Sequence, residues 1–383
     1  MNLTSARHEL NYPKKVHIGD ITVRDGFQHE EIWIPTEAKL YYAEELILSG
    51  VKHVEVTNFG NPALMPQFKD AEILLKQLRD SKKLSRGGVN WSDVTLTVVT
   101  IREKSVDRAV EARKEGWGPD RILMMVSTDE QHHFANSGTT LPDYWEESKR
   151  SIEKAADVGM KMCGTVSTIW GSPISGPTPL EEAVEFTKRW LEIGAADIEH
   201  ADHDGSAPPN QVYKYFSMIM EEMPDPNLHL AHFHVTRGWG TANVLAALQA
   251  GIEKFEGTIG GLGGQPANFL DRVPVAGTGE YYYVDPNVVG LQSIEDMVVM
   301  MDEMGIETGI DVDRLLRLGK MMEKTIGRRL RSEAILNGRI PKRPREEFKR
   351  KGLEQVKKKL GEAPGQKFPA SWPEKATYTV KKG

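Results

Sequence analysis

The chain has 383 residues, a formal net charge of −6, a pI near 6.1 and one cysteine, Cys163. That length suits one large α/β domain with a small appendage, the near-neutral charge speaks against nucleic acid as the main partner, and a lone cysteine excludes an internal disulfide. No stretch approaches the roughly 18 apolar residues of a membrane span, and residues 1–15 lack the apolar segment of a secretory signal, so a cytoplasmic protein without a membrane partner is expected.

In chain order, short β-branched runs alternate with longer amphipathic ones. The first expected strand is 16–24. A helical pattern follows over 38–49, with Ala43, Leu46 and Leu48 near one face. Further strands are expected at 51–58, 94–100, 121–127, 161–168, 195–201, 228–235 and 254–260. Between the fifth and sixth, 180–193 has a helical stripe of Ala183, Phe186, Trp190 and Leu191. Eight strand–helix units of this kind close naturally into a (β/α)8 TIM barrel. An open doubly wound sheet shares the alternation and is the competing architecture. The expected division is a catalytic barrel over 1–309 and C-terminal helices with a basic tail over 310–383. There, 312–329 reads as a helix packed on the barrel. The Lys/Arg run over 342–359 reads as a solvated helix, with a phosphate-holding role as the sharper alternative.

In a closed barrel the active site lies at the C-terminal ends of the strands. The polar residues there are Arg24, Asp25, Glu55, Ser127, Ser167, Asp202, His203, His232 and His234. Within His232-Phe233-His234 the two imidazoles share one face of a strand. A His/carboxylate set completed by Asp25 suits Mn²⁺, Fe²⁺, Co²⁺ or Zn²⁺ and tolerates Mg²⁺. Arg24 beside such a metal can stabilise an oxyanion or enolate. Glu55 and Asp202-His203-Asp204 either pair with Arg24 and cap helices, or orient Arg24 and accept a proton. Asp202, His203 and Asp204 are also a rival metal set, although Asp204-Gly205 has the look of a turn. The glycine-rich 257–265 fits neither the dinucleotide fingerprint nor the Walker loop, and serves as a phosphate cradle or as a lid. Cys163, mid-strand, reads as core.

Several segments together resemble the hydroxymethylglutaryl-CoA lyase family of metal-dependent TIM-barrel lyases and synthases, the pyruvate carboxyltransferase-domain superfamily. They are Val23-Arg-Asp-Gly-Phe-Gln-His-Glu30, Val54-Glu-Val-Thr-Asn-Phe59, Gly164-Thr-Val-Ser-Thr-Ile-Trp-Gly-Ser-Pro173, His232-Phe-His234, Ala242-Asn-Val-Leu-Ala-Ala-Leu248 and Gly261-Leu-Gly-Gly-Gln-Pro266. The resemblance runs from about residue 18 to about residue 328. It implies a divalent cation, Mg²⁺ or Mn²⁺ ahead of Zn²⁺, Co²⁺ or Fe²⁺, held by Asp25, His232 and His234. It implies cleavage of a 3-hydroxyacyl thioester to a carbonyl product and a thioester enolate. Arg24, Asp25, Glu55 and Asp202 form the expected catalytic set, and Gln28, Ser167, Arg237 and Gln265 the substrate contacts. A CoA thioester or anionic hydroxy acid is the expected partner, and a homo-oligomer, a dimer, the expected assembly.

The chain also departs from that family. Gln265 stands where the family has a catalytic cysteine, and an amide cannot exchange a proton as a thiol does. Val235 replaces the acidic or amide residue after the His-x-His. Leu291 stands where the family places an Asn ligand, for which Asn287, Asn268 or water would have to substitute. These changes point to a substrate related to hydroxymethylglutaryl-CoA, and Arg237 favours one with an added carboxylate or phosphate. Three rival readings follow. One is a condensing synthase of the isopropylmalate/homocitrate kind, whose Gly-Glu-Arg motif is absent. Another is a carboxyltransferase built on a carbamylated lysine, for which Lys161 is a poor candidate. The third is a non-catalytic, degenerate barrel.

Overall fold

The computed structural model describes residues 12–339 apart from His29, Glu31, Pro173, Asp204, 264–267, 271–272 and 276–289, together with residues 351, 352, 354, 355 and 358. Gln265, Asn287 and most of the basic run over 342–359 therefore lie outside the described residues. Eight parallel strands form the barrel: β1 (His17–Asp20), β2 (His53–Asn58), β3 (Thr95–Val99), β4 (Arg121–Ser127), β5 (Lys161–Ser167), β6 (Asp197–Asp202), β7 (His229–Val235) and β8 (Lys254–Gly257). Each strand pairs with its successor, and β8 also pairs with β1 over His17–Asp20, so no edge is left. Closure removes the open doubly wound alternative. A short antiparallel pair, β9 (Asn268–Leu270) and β10 (Val273–Val275), follows the barrel, and β11 (Gly290–Leu291) lies antiparallel to β7.

The helices are α1 (Thr36–Leu48), α2 (Ala71–Arg79), α3 (Lys82–Arg86), α4 (Glu103–Lys114), α5 (Glu130–Ser137), α6 (Leu141–Asp157), α7 (Leu180–Glu192), α8 (Pro209–Glu222), α9 (Gly240–Gln249), α10 (Ile294–Met304), α11 (Val312–Ile326) and α12 (Glu333–Asn337). They are shorter than the periodic patterns where a cap intervenes. α11 stops at Gly327, which takes the left-handed conformation that an L-residue disfavours. The compact unit that holds the barrel runs to Gly338 and includes α11 and α12. Among the described residues no helix is long and apolar enough to cross a membrane.

Strand parity sorts the side chains into two layers. Val54, Val56, Ile198, Ala231 and Phe233 face outward and are buried in the main hydrophobic cluster beneath the helices. Gly164 also faces outward, and Trp190 of α7 lies so close that an added Cβ would fall 2.3 Å from its Cδ2. The inward layer is unusual. Barrel interiors are ordinarily filled with branched apolar side chains. Here the small apolar cluster of Val99, Leu123 and Cys163 sits among charged groups. Near the N-terminal end, Arg121 pairs with Asp197 at 2.9 Å and donates to His53 Nε2 at 2.8 Å. Burial, reinforced by Arg121, pushes the His53 imidazole down to about 3, so it stays neutral. Higher in the barrel Glu55, Glu199 and Glu256 are buried, directly below the strand ends.

Candidate active site

The first strand ends four residues earlier than its apolar run predicts. The buried Asp20 carboxylate accepts from both the backbone N–H and the hydroxyl of Thr22, each at 2.8 Å. That local bond competes with the ladder and turns the chain. Thr22–Gly26 then winds as one π-helical turn, with Asp25 N–H and Gly26 N–H both donating to Ile21 O at 2.7 and 3.2 Å. Such single wide turns recur at functional sites because they re-aim side chains without ending the backbone bonding. Here the turn carries Arg24 and Asp25 over the barrel mouth. Burial, against the Thr22 bonds, pushes the Asp20 carboxyl up to about 7. Thr22 Oγ1 also accepts from Ile259 N–H at 2.8 Å, which ties the turn to the loop after β8. That loop is where the eighth strand stops short of its expected end: Ile259–Gly261 forms a 3-10 turn with Gly260 at φ 60°.

Asp25, His232 and His234 each offer a ligand atom, and these atoms lie within 4.8 Å of one another. Asp25 Oδ2 is 3.8 Å from His232 Nε2. One carboxylate and two imidazoles, all buried, are a donor set that divalent transition metals and Mg²⁺ accept. Leu291, paired in β11 directly opposite His234, is buried and brings no donor to the place where a fourth protein ligand would stand. Beneath, His232 Nδ1 meets Glu256 Oε1 at 2.8 Å, with Glu199 Oε1 at 3.9 Å. Glu199, His232 and Glu256 form a second candidate cluster that shares this imidazole. Glu55 Oε2, Glu199 Oε2 and Glu256 Oε2 are buried and find no hydrogen-bond donor among the described residues. Burial pushes the Glu256 carboxyl up to about 8, with the Glu55 charge adding to it, and raises Glu199 well above its ordinary range, with Glu256 adding. Crowding Asp25, Glu55, Glu199 and Glu256 together makes it costly to ionise all four carboxyls at once, and a bound cation would relieve that cost. The residues present therefore fit a divalent metal.

Arg24 supplies a guanidinium at the mouth. Its Nε donates to Glu55, and its Nη1 lies 3.3 Å from Asp25 Oδ1 and 3.4 Å from Gln28 Oε1. Burial disfavours its charge, but Asp25, Glu55 and Glu199 outweigh that and raise its pKa. It is a fixed cation with one face toward the cavity. That cavity, of about 100 Å³, is lined by Arg24, Asp25, Gln28, Glu199, His203, His232 and His234, by the apolar Met65, Val99, Ile101, Leu123 and Met125, and by the polar Asn58, Ser127, His133, Asn136 and Ser137. A larger cleft of about 570 Å³ adjoins it and shares Met65, Ile101, Asn136 and Ser137.

The expected residues thus separate into two groups. Arg24, Asp25, Glu55, Gln28, His232 and His234 converge. Ser167, Asp202 and Arg237 do not line the cavity. Ser167 is fully buried, bonded to Ser127 Oγ at 3.0 Å and to Val126 O at 3.2 Å. Asp202 has the outward parity of β6 and accepts from Ser206 N–H and Ala207 N–H at 3.2 and 3.3 Å, capping the turn into α8. The rival set of Asp202, His203 and Asp204 includes Asp204, which lies outside the described residues. Arg237 is exposed, donates to Gly205 O at 3.2 Å and lies over the Trp239 ring. His132, His133 and Asn136 of α5 also line the site or adjoin it and are not among the residues expected from the sequence, whereas His203 is expected there among the strand-end polar residues and in the rival metal set. The parity of β6 offered a signal: with Glu199 inward and Asp202 outward, the next residue turns back toward the mouth.

A family model described as HMGL-like matches residues 15–322. The hydroxymethylglutaryl-CoA lyase of Bacillus subtilis is 28% identical over 326 residues, 85% of this chain and 98% of that protein. The mitochondrial enzyme of that name from Bos taurus is 27% identical over 322 residues, 84% of this chain and 89% of its own length. Among solved structures, an HMG-CoA lyase from Acenitobacter baumannii in complex with coenzyme A and 3-methylmalate superposes with a TM-score of 0.73 at 27% identity, covering 86% of this chain and 97% of that one.

Proposed function

From the premise that this chain belongs to the HMGL-like family, whose members it resembles here are carbon–carbon lyases, we propose that it is a divalent-metal-dependent lyase of 3-hydroxyacyl-CoA esters. The observation that carries the reading is the convergence of Asp25, His232 and His234 beside the fixed Arg24 guanidinium. Those three residues would hold the metal, which when bound supplies Lewis acidity that makes a substrate hydroxyl easier to deprotonate.

The chain's own residues do the rest. Glu256 accepts the His232 Nδ1 proton and so presents Nε2 toward the ligand position. Glu55 clamps Arg24 through Nε, with Nη1 against Asp25 and Gln28, and the guanidinium so fixed faces negative charge that develops on the thioester oxygen during cleavage. A charge-assisted donor held in a buried site costs no reorganisation at the moment of reaction. Gln28 sits on the same rim and orients the bound acid. Met65, Val99, Ile101, Leu123 and Met125 in the same lining give an aliphatic substituent on the substrate apolar surface to pack against. The alkyl group of a 3-hydroxy-3-alkylglutaryl-CoA is such a substituent. Self-association as a dimer and a cytoplasmic location accompany this reading.

The test is a panel of 3-hydroxyacyl-CoA esters, hydroxymethylglutaryl-CoA and its longer 3-alkyl homologues among them, incubated with protein and Mn²⁺ or Mg²⁺ and followed by mass spectrometry. The expected products are an acyl-CoA and a carbonyl compound, formed only with metal and abolished by chelator. Absence of cleavage across the panel, or cleavage undiminished in chelator, refutes the proposal.

A further inference from the structure

The opposite end of the barrel carries a cavity of its own. It has a volume of about 490 Å³ and lies at the N-terminal ends of the strands, away from the metal ligands. Strand starts supply its charged lining. Arg121, Lys161, Asp197 and Lys254 are the first residues of β4, β5, β6 and β8, and Lys52 immediately precedes β2. The floor of a barrel ordinarily serves stability, and part of this one does. Arg121 and Lys254 both pair with Asp197, at 2.9 and 3.3 Å. Lys52 and Lys161 are different. Both are exposed, and neither side chain has an ion pair or hydrogen bond among the described residues. Four Lys and Arg cations thus share the lining with two carboxylates, Asp93 and Asp197, in a chain whose net charge is −6. Like charges left unpaired around one cavity repel, and an anion between them removes that repulsion.

His53 adds a directed donor. Its Nε2 lies 2.8 Å from Arg121 Nη1, which can only donate, so Nε2 accepts and the neutral ring carries its proton on Nδ1. Thr97 Oγ1 shares Nε2 at 2.8 Å. The Nδ1–H has no hydrogen-bond acceptor among the described residues. Beside it is the space over Gly19, where an added Cβ would stand 3.1 Å from Nδ1, and both residues line the cavity. Glycine at position 19 therefore keeps open the approach to an N–H that a side chain would crowd.

We propose that this cavity binds the phosphate group of a small molecule, with Lys52 and Lys161 supplying the uncompensated charge and His53 Nδ1–H a directed hydrogen bond. Ammonium groups act on a phosphate as point charges, while the ring N–H fixes its position. Cavities of roughly 300–1,000 Å³ take small organic ligands, so a phosphate ester and free phosphate are both sources of the group. The site stands apart from the lyase reading, because this cavity and the one at the metal ligands have no lining residue in common.

The experiment titrates the full, metal-free chain with inorganic phosphate and with glycerol 3-phosphate, by calorimetry at a fixed ionic strength of about 0.15 M. It compares wild type, the double variant Lys52→Ala with Lys161→Ala, Gly19→Ala and Arg24→Ala, with circular dichroism as the folding control. One anion per chain is expected in wild type. The double variant should bind it about tenfold or more weakly, Gly19→Ala should also bind it more weakly, and Arg24→Ala should bind it as wild type does. Tighter binding of the ester than of the inorganic ion assigns the phosphate group to an organic molecule, equal binding assigns it to free phosphate, and either result supports the site. Absence of saturable binding up to about 10 mM of both anions overturns the proposal and leaves the two lysines as solvated charges on a structural floor. Wild-type affinity in the double variant or in Gly19→Ala overturns it too. So does binding that Arg24→Ala abolishes, which would put the anion at the metal mouth. Should the double variant not fold, Lys161→Ala alone decides: a weakening of about threefold or more supports the site, and unchanged affinity overturns it. None of these outcomes bears on the lyase reading, which the substrate panel tests separately.

Discussion

Replacing Glu256 probes the metal site from beneath. The carboxylate lies 2.8 Å from His232 Nδ1, and both side chains are buried. An imidazole that binds metal through Nε2 must keep its proton on Nδ1, and Glu256 accepts it. Loss of such a partner typically costs ~10–100-fold in metal affinity, or ~1.4–2.8 kcal/mol at 1.4 kcal/mol per tenfold. Glu256→Gln keeps an acceptor opposite His232 Nδ1, and burial already holds the native carboxyl largely neutral at this pH, so it should fall at the low end. Glu256→Ala removes the acceptor and leaves the His232 N–H buried without one, so it should fall at the high end. Titration calorimetry with Mn²⁺ at neutral pH reads the difference, with circular dichroism as the folding control. An alanine variant within about threefold of wild type would refute the idea that Glu256 orients a ligand. A loss beyond ~1,000-fold would refute it in the other direction, because an outer partner does not cost that much. Glu256 would then be a ligand itself, as the second cluster with Glu199 and His232 requires.

Further outcomes follow from the same geometry. Arg24→Lys should lower kcat by ~100-fold or more, because a point charge cannot keep the Glu55 bond and also face the enolate; steady-state kinetics check this. Cys163→Ala should leave cleavage near wild type, and iodoacetamide should not inactivate the native protein, since the thiol is buried and its pKa raised. Gly164→Ala should destabilise by about 3 kcal/mol through the clash with Trp190, read as a lowered Tm. His53, His200 and His229 all have depressed pKa values, burial being the largest cause of each. They stay neutral in the native state while the unfolded chain takes up protons near pH ~6.5. Their contribution to stability is complete above that pH and is lost as the pH falls from ~6.5 toward 3. Urea midpoints near neutrality and at pH ~5 should differ accordingly, the acidic one being lower.

Much of this site is legible before any fold is known. Period-two parity puts His232 and His234 on one face whatever surrounds them, and strand–helix alternation supplies the barrel that gathers strand ends at one mouth. The Arg24-Asp25-Gly26 motif places a carboxylate and a guanidinium there. The same parity bears on Asp202, an outward residue that caps the turn into α8 and stays clear of the substrate space. Other features are decided by contacts between distant segments. The π turn depends on Asp20 capturing Thr22 and on Thr22 meeting Ile259, 237 positions away. The burial of Ser167 depends on β4 lying beside β5. His132 and His203 stand 71 residues apart, and only the side-by-side order of β4, β5 and β6 brings the start of α5 against the end of β6. Sequence by itself determined which side chains share a face, because that is a property of local backbone period. Which faces meet, and hence which proton and which charge each group carries, was decided by tertiary structure alone, because burial and hydrogen bonding between remote elements set them.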